Sequence, residues 1–138
     1  MTTEEPSPEL DALVHETIGA AIEVHRALGP GFLEAIYEEA LCLELIHRNI
    51  SFGRQVPIPI CYRSRPVGAS QLDLLVGGPL VVELKAVPQL LPIHVAQVIS
   101  YLKGAHKPLG LLLNFNVPVL QAGIKRVVFS AKEARAYR

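Results

Sequence analysis

Three charged residues lie in a segment that otherwise has the composition of buried β-strand. The segment spans residues 71–87, and its charged members are Asp73, Glu83 and Lys85. A buried charge is costly unless something pairs with it, so charged side chains are rare in such strands. Strand alternation puts Glu83 and Lys85 on one face, roughly 7 Å apart. A divalent cation bound to phosphate would pair with such a set, so the segment predicts metal-assisted chemistry at phosphorus.

The position of Asp73 depends on the length of the hairpin loop. A two-residue loop at Gly77-Gly78 would pair Asp73 with Val82 and send the two acids to opposite faces. A three-residue loop that also includes Pro79 pairs Asp73 with Glu83 instead. We favour the longer loop, because proline cannot donate to a strand ladder and glycine-containing loops of this length are common in hairpins.

Mg²⁺ suits two carboxylates that face each other, because it binds one or two protein carboxylates, keeps several waters and leaves room for phosphate oxygens. Mn²⁺ can take its place. The predicted metal set is Asp73, Glu83 and Glu34, with Glu34 either a ligand or a partner of a metal-bound water. The same register pairs Gln71 with Lys85 and places Lys85 where it would orient or deprotonate that water.

Two helices precede this hairpin in the predicted order. Ser-Pro-Glu at residues 7–9 is a typical helix start, and Gly-Pro-Gly at 29–31 ends the apolar pattern that follows. The second helix runs from residue 33 to about 48. Its apolar stripe consists of Leu33, Ile36, Tyr37, Ala40, Leu41 and Leu45.

The acids of the second helix differ in their position relative to that stripe. At roughly 100° per residue, Glu38 and Glu39 fall outside it, whereas Glu34 lies on its inner edge. Glu44 also falls inside, near the far end. Helical geometry alone therefore does not single out Glu34. Tyr37 is interpreted as a core residue.

The remaining elements are strands and one helix. Residues 52–62 alternate and contain two prolines two positions apart, which indicates an edge strand, and 63–68 is a polar turn. After the hairpin, a helix begins at Pro92. Residues 109–115, almost wholly apolar, predict an interior strand, and 124–129 predict a last strand. The order is ααβββαββ.

One polar line on the third helix is of interest for chemistry. His94, Gln97 and Tyr101 lie at i, i+3 and i+7 beside an apolar face. Gln97 and Tyr101 would position a water, Lys85 or a phosphate oxygen by hydrogen bonding. A histidine at a helix start is more often a surface or capping residue, and His94 is interpreted in that way.

The composition predicts one globular domain, residues 1–138, with frayed tails at 1–8 and 130–138. Net charge is zero, yet residues 1–50 carry two bases against ten acids (−8) and the rest eleven bases against three acids (+8). Either the halves neutralise each other, or basic residues line a nucleic-acid track. The bases concerned are Arg63, Arg65, Lys103, Lys107, Lys125 and Arg126.

The cellular setting follows from three further features. Cys42 and Cys61 lack metal-type spacing, which favours buried thiols in a reducing compartment. No signal-peptide pattern is visible, and no apolar run approaches the roughly 20 residues that span a bilayer. We expect a cytoplasmic protein with no membrane contact.

The sequence Gly-Phe-Leu-Glu-Ala-Ile-Tyr at residues 31–37 resembles the signature of the GxxExxY protein family, which is assigned to the PD-(D/E)xK nuclease superfamily. The resemblance extends from about residue 13 to 128. It includes Glu-Val-His-Arg-Ala-Leu at 23–28, Asp-Leu-Leu-Val at 73–76, Val-Glu-Leu-Lys-Ala-Val at 82–87 and His-Val-Ala-Gln-Val-Ile-Ser-Tyr-Leu-Lys at 94–103.

This resemblance implies an α/β, restriction-endonuclease-like core with a mixed central sheet flanked by helices. Asp73 matches the acid of the second strand, Glu83 and Lys85 match the (D/E)xK pair, and Glu34 matches the helical acid. Gln97 and Tyr101 resemble the QxxxY helix of the RecB/Cas4-like subset. Leu72 stands where many members have a proline before the acid.

Two functional hypotheses follow. The first is a metal-dependent nuclease that hydrolyses DNA phosphodiester bonds with a metal-activated water. The alternative is a non-catalytic nucleic-acid-binding or regulatory module that retains the nuclease fold, and RNA is a further substrate hypothesis. A homodimer is also expected, because one small core offers little surface for gripping a duplex.

Overall fold

The structure, a computed structural model, describes residues 7–129 and has the predicted element order ααβββαββ. A short 3₁₀-helix, Leu120–Gly123, precedes the last strand. The helices and strands are α1 Pro8–Leu28, α2 Glu34–His47, β1 Phe52–Tyr62, β2 Arg65–Val76, β3 Leu80–Lys85, α3 Pro92–Ala105, β4 Leu109–Asn114 and β5 Ile124–Val128.

The five strands form one mixed sheet in the order β1-β2-β3-β4-β5. β3 and β4 pair in parallel and the other neighbours are antiparallel. β4 is buried along its whole length between β3 and β5, and β1 lies at an edge, as the apolar run and the two prolines predict. This architecture confirms the predicted α/β fold class with a mixed central sheet flanked by helices.

Helices cover both faces of the sheet. α1 and α2 share one buried cluster with alternate residues of β2 and β3, and Tyr37 lies in it, as predicted. α3 packs through Val98 and Leu102 against a second cluster that includes Ile58 and Leu72. The hairpin of β2 and β3 therefore lies between an α1–α2 layer and α3. No helix within residues 7–129 is long and apolar enough to cross a membrane.

Several sequence-based boundaries are corrected. The turn after β1 consists of Arg63 and Ser64 alone, both with positive φ (51° and 63°), so β2 begins at Arg65 and not after residue 68. Such a two-residue turn matches the twist of the flanking strands. Ser7 belongs to the fold, since its Oγ accepts a hydrogen bond from the Leu10 amide at 3.1 Å. The other predicted tail residues, 1–6 and 130–138, lie outside the described residues.

The two cysteines differ in burial. Cys42 is buried, as predicted, but Cys61 is exposed on β1. Both are free thiols. The sequence of β1 alternates between apolar and polar residues and so predicts one buried face. Burial follows that prediction at Ile58, which packs in the cluster with α3, but not at Cys61 near the end of the strand.

Candidate active site

The hairpin loop of β2 and β3 has three residues, as predicted. Val76 pairs with Leu80 and Leu74 pairs with Val82, so residues 77–79 form the loop. Gly77 and Gly78 adopt positive φ, 63° and 101°, which L side chains rarely tolerate. This register brings Asp73 and Glu83 to the same face.

The backbone ladder between β2 and β3 ends just before the acids. Its last pair is Leu74 with Val82, so the predicted pairing of Gln71 with Lys85 is not part of the ladder. The amide of Leu84 donates instead to Oδ2 of Asp73 at 2.9 Å. A side-chain carboxylate thus accepts the hydrogen bond from β3 and fixes the orientation of Asp73.

Glu83 is the most deeply buried acid of the hairpin, with 4% of its surface exposed. Burial, followed by the charge of Asp73, raises the pKa of Glu83 to about 8, and the ammonium of Lys85 opposes this rise. The Lys85 Nζ lies 3.4 Å from Oε2 of Glu83. Burial also raises the pKa of Asp73, against the effect of the hydrogen bond from Leu84.

One oxygen of Glu83 lacks a donor. No hydrogen-bond donor in residues 7–129 reaches its buried Oε1. An ionised carboxylate with such an oxygen is unfavourable unless a proton or a cation satisfies it. The Asp73–Glu83 pair therefore fits a divalent cation, and two carboxylates are a common protein contribution to a Mg²⁺ site.

Glu34 lies near this pair but does not complete a three-carboxylate cluster. Burial and then the charge of Asp73 raise the pKa of Glu34, so α2 directs it toward the hairpin. Within the described part of the chain, no group of three or more His, Cys, Asp or Glu side chains is arranged to hold a metal ion. Direct ligation by Glu34 thus stays a prediction, and contact through a water remains compatible with its position.

The third helix brings its polar line to Lys85, as its spacing predicts. Lys85 Nζ donates to Oε1 of Gln97 at 2.8 Å. Burial, followed by the charge of Glu83, raises the pKa of Tyr101, and a hydrogen bond with Gln97 opposes the rise. His94 is a capping residue, because its Nδ1 accepts from the Leu91 amide at 2.9 Å.

Open space adjoins Lys85 beside α3. A cavity of about 470 Å³ lies between β2, the end of β3 and α3. Its lining residues are Ser70, Lys85, Ile93, His94, Ala96, Gln97, Ser100 and Tyr101. Lys85, Gln97 and Tyr101 therefore share a surface that a ligand can reach.

Sequence reasoning missed two residues beside the acids. The helical pattern predicts that Glu38 lies outside the apolar stripe, but in the structure only 7% of its surface is exposed. It accepts hydrogen bonds from Arg54 Nε at 2.7 Å and from Gln55 Nε2 at 3.0 Å. The same Nε2 lies 3.5 Å from Oδ1 of Asp73. Gln55 therefore connects Glu38 on α2 to Asp73 on β2.

The face that α2 buries differs from the predicted stripe. Leu33 and Ile36 are 77% and 43% exposed, and the buried residues are Tyr37, Glu38, Leu41, Cys42 and Leu45. These positions follow the i, i+3, i+4, i+7 pattern that also includes Glu34. The i, i+4 spacing of Glu34 and Glu38, with Tyr37 between them, is the one sequence signal for a shared buried face. Hydropathy alone predicts instead that an acid is exposed to solvent.

One comparison with known proteins identifies a superfamily. Searches of curated proteins and of solved structures found no match. Residues 11–127, which include every element from α1 to β5 in whole or in large part, match the family model described as the PD-(D/E)XK nuclease superfamily. The match covers the acids of the hairpin, Lys85 and the polar line of α3. The chain belongs to the PD-(D/E)XK nuclease superfamily.

Proposed function

We propose that this protein is a Mg²⁺-dependent nuclease that hydrolyses phosphodiester bonds in DNA. The observation that carries the proposal is the buried Glu83 carboxylate. It faces Asp73, has one oxygen without a donor in residues 7–129, and lies next to Lys85. A pair of adjacent carboxylates with an unsatisfied oxygen is a suitable site for a hard cation.

The proposed roles follow from the positions of the side chains. Asp73 and Glu83 would hold the ion, with Glu34 as a third ligand or a partner of a bound water. A bound Mg²⁺ or Mn²⁺ would polarise the phosphate and lower the pKa of water. Lys85 would orient the attacking water, and Gln97 holds the Lys85 ammonium in place through the 2.8 Å hydrogen bond. Tyr101, next to Gln97, would contact a phosphate oxygen.

The finer assignments belong to the same proposal. We infer membership of the GxxExxY family within the superfamily, DNA in preference to RNA, action in the cytoplasm, and a homodimeric state. The single domain of residues 1–138 would then supply one cleavage site per subunit. Light scattering checks the oligomeric state, and parallel assays on RNA check the substrate.

The decisive experiment compares wild type with Lys85→Ala on single-stranded, duplex and branched DNA, with Mg²⁺, with Mn²⁺ and with chelator. Wild type should cleave only when a divalent ion is present. Lys85→Ala should lose activity by at least about 100-fold, the usual size of a lost proton-transfer or positioning group. Arg26→Ala, at an exposed arginine of α1 outside the site, is the control and should retain activity.

Circular dichroism and thermal unfolding would show that Lys85→Ala remains folded. Full activity in that variant would remove Lys85 from the mechanism. No hydrolysis of any DNA form by wild type, combined with metal-independent DNA binding, would overturn the nuclease proposal in favour of the non-catalytic module.

A further inference from the structure

The distal part of the β1–β2 hairpin projects from the body of the domain. We define residues 59–69 as the arm. Ile60 is half-buried, and every other residue of the arm is exposed, including Tyr62 and Val67 at 65% and 63%. At the foot of the arm, Ile58 packs in the cluster that α3 covers. β3 pairs with β2 only at Leu74–Val76, so the arm lacks a second neighbouring strand.

The tip of the arm is positively charged and carries no acid. Arg63 is the first residue of the two-residue turn and Arg65 directly follows the turn, and residues 45–72 contain no Asp or Glu. Arg54, by contrast, is paired with Glu38 and Glu39. Arg63 and Arg65 form no ion pair within residues 7–129, and the Arg63 guanidinium lies 5.8 Å from the centre of the Tyr62 ring. Two unneutralised guanidinium groups at the tip of a hairpin favour an anionic partner.

The arm is poorly suited to pairing with a strand of another protein. Pro59 of the arm and Pro57 just before it pair with Ala69 and Gln71. Since proline cannot donate to a strand ladder, we infer that both face the free edge of the sheet with the side that lacks an amide donor. Proline removes the donors that strand addition requires. Recognition by the arm therefore depends on its side chains, and their charge matches a phosphate backbone.

The arm and the candidate active site lie along one strand. Asp73 and Arg65 are both on β2, eight residues apart, which corresponds to about 26 Å at roughly 3.3 Å per residue. Ser70, between them, lines the cavity that also contains Lys85. At about 3.4 Å per base step, 26 Å is the length of about 8 base pairs.

We propose that the arm is a phosphate clamp for duplex DNA, in which Arg63 and Arg65 contact the backbone about 8 base pairs from the bond that Asp73, Glu83 and Lys85 address. The distance to the scissile bond rests on the proposed function. Binding of DNA by the arm is independent of the proposed function, because it requires neither metal nor hydrolysis.

The experiment measures affinity for a DNA duplex of about 24 base pairs in chelator, by fluorescence anisotropy between about 50 and 200 mM NaCl. Arg63→Ala/Arg65→Ala should bind at least about tenfold more weakly, with a slope of log K against log salt smaller by about 2. Arg63→Lys/Arg65→Lys should retain the wild-type slope. The charge-matched control is Arg26→Glu, at an exposed arginine of α1, which changes the net charge by as much as the double alanine variant and should change the slope little.

Three results would overturn the clamp: no duplex binding by wild type, an alanine variant indistinguishable from the control, or a lysine variant that loses the slope as the alanine variant does. Cleavage assays on the same proteins separate the two proposals. If the alanine variant has a smaller salt slope but wild type does not hydrolyse DNA, the clamp proposal stands and the nuclease proposal is rejected. If wild type hydrolyses DNA and the alanine variant keeps the wild-type slope, the nuclease proposal stands and the clamp proposal is rejected.

Discussion

Four carboxylates lie around the open end of the β2–β3 hairpin, on Glu34, Glu38, Asp73 and Glu83. The charges of Asp73 and Glu38 both contribute to the raised pKa of Glu34, after the larger effect of burial. Like charges at such proximity are unfavourable unless donors or cations separate them. Lys85 forms an ion pair with Glu83, and Arg54 forms one with Glu38. The side-chain amide of Gln55 contacts both Glu38 on α2 and Asp73 on β2. Through Gln55, the helix can therefore influence the candidate metal pair.

We predict that Gln55→Asn weakens metal binding by about 10- to 100-fold, the usual effect of losing a side chain that orients a ligand. Asparagine tolerates the positive φ of 51° at this position, but its amide is one methylene too short to bridge Glu38 and Asp73. Isothermal titration with Mn²⁺ measures the change. Gln71→Asn, at an exposed glutamine of β2, is the control, and equal affinities in both variants would contradict the positioning role.

The connection between α1 and α2 determines where Glu34 and Glu38 lie. Tyr37 on α2 is fully buried, and its ring stacks on Phe115 with centroids 4.7 Å apart. Its hydroxyl donates to the Gly29 carbonyl at 2.6 Å and accepts from the Phe32 amide at 3.1 Å. These two bonds hold the loop that sets the start of α2, and with it the position of both acids.

Tyr37→Phe should therefore lower the free energy of unfolding by about 1–3 kcal/mol, because it removes both hydrogen bonds of a buried hydroxyl and leaves the Gly29 carbonyl and the Phe32 amide without that partner, while retaining the ring. Urea denaturation monitored by circular dichroism measures the loss. Tyr62→Phe removes a hydroxyl from an exposed ring and should change stability little. A Tyr37→Phe protein as stable as wild type would mean that water replaces the hydroxyl at no cost.

The stability of the whole molecule should depend on pH through Glu83. Its pKa is raised from 4.5 to about 8 in the folded state. Between these values the folded protein holds a proton that the unfolded chain has released, so stability falls as pH rises from about 4.5 to 8. The raised pKa of Asp73 acts in the same direction.

We predict that Glu83→Gln reduces this loss and is more stable than wild type at pH 8 by about 1–3 kcal/mol, the cost of an unsatisfied buried polar group. Urea unfolding at about pH 5.5 and pH 8 gives the comparison, with Glu23→Gln on the exposed surface of α1 as control. Mg²⁺ should stabilise wild type at pH 8 and not the variant. A Glu83→Gln protein with the wild-type pH dependence would contradict the assignment.

Charge is also distributed over the whole molecule in a way that favours local binding. The acidic first part and the basic remainder neutralise each other at Arg54, with Glu38 and Glu39, and at Arg126, with Asp11. Arg63 and Arg65 have no such acid within the described residues. The ion pairs support the neutralisation interpretation for Arg54 and Arg126, whereas a nucleic-acid track that includes Arg63 and Arg65 stays a prediction.

The sequence by itself determined the element order, the interior and edge strands, and the three-residue loop that aligns Asp73 with Glu83. These features depend on local rules, namely side-chain periodicity and the inability of proline to donate, which the chain carries without reference to distant residues. The spacing of Gln97 and Tyr101 on one helix likewise predicted that they would share a side.

Only the tertiary structure decided which face α2 buries. Hydropathy favours Leu33 and Ile36 for the interior, yet the fold buries Glu38, because Arg54 and Gln55 of β1 provide donors that cancel the cost of burying its charge. The same applies to the arm, whose exposure depends on where α3 and β3 end. Contacts with residues distant in sequence determine these features, so the sequence of a single helix or strand does not predict them.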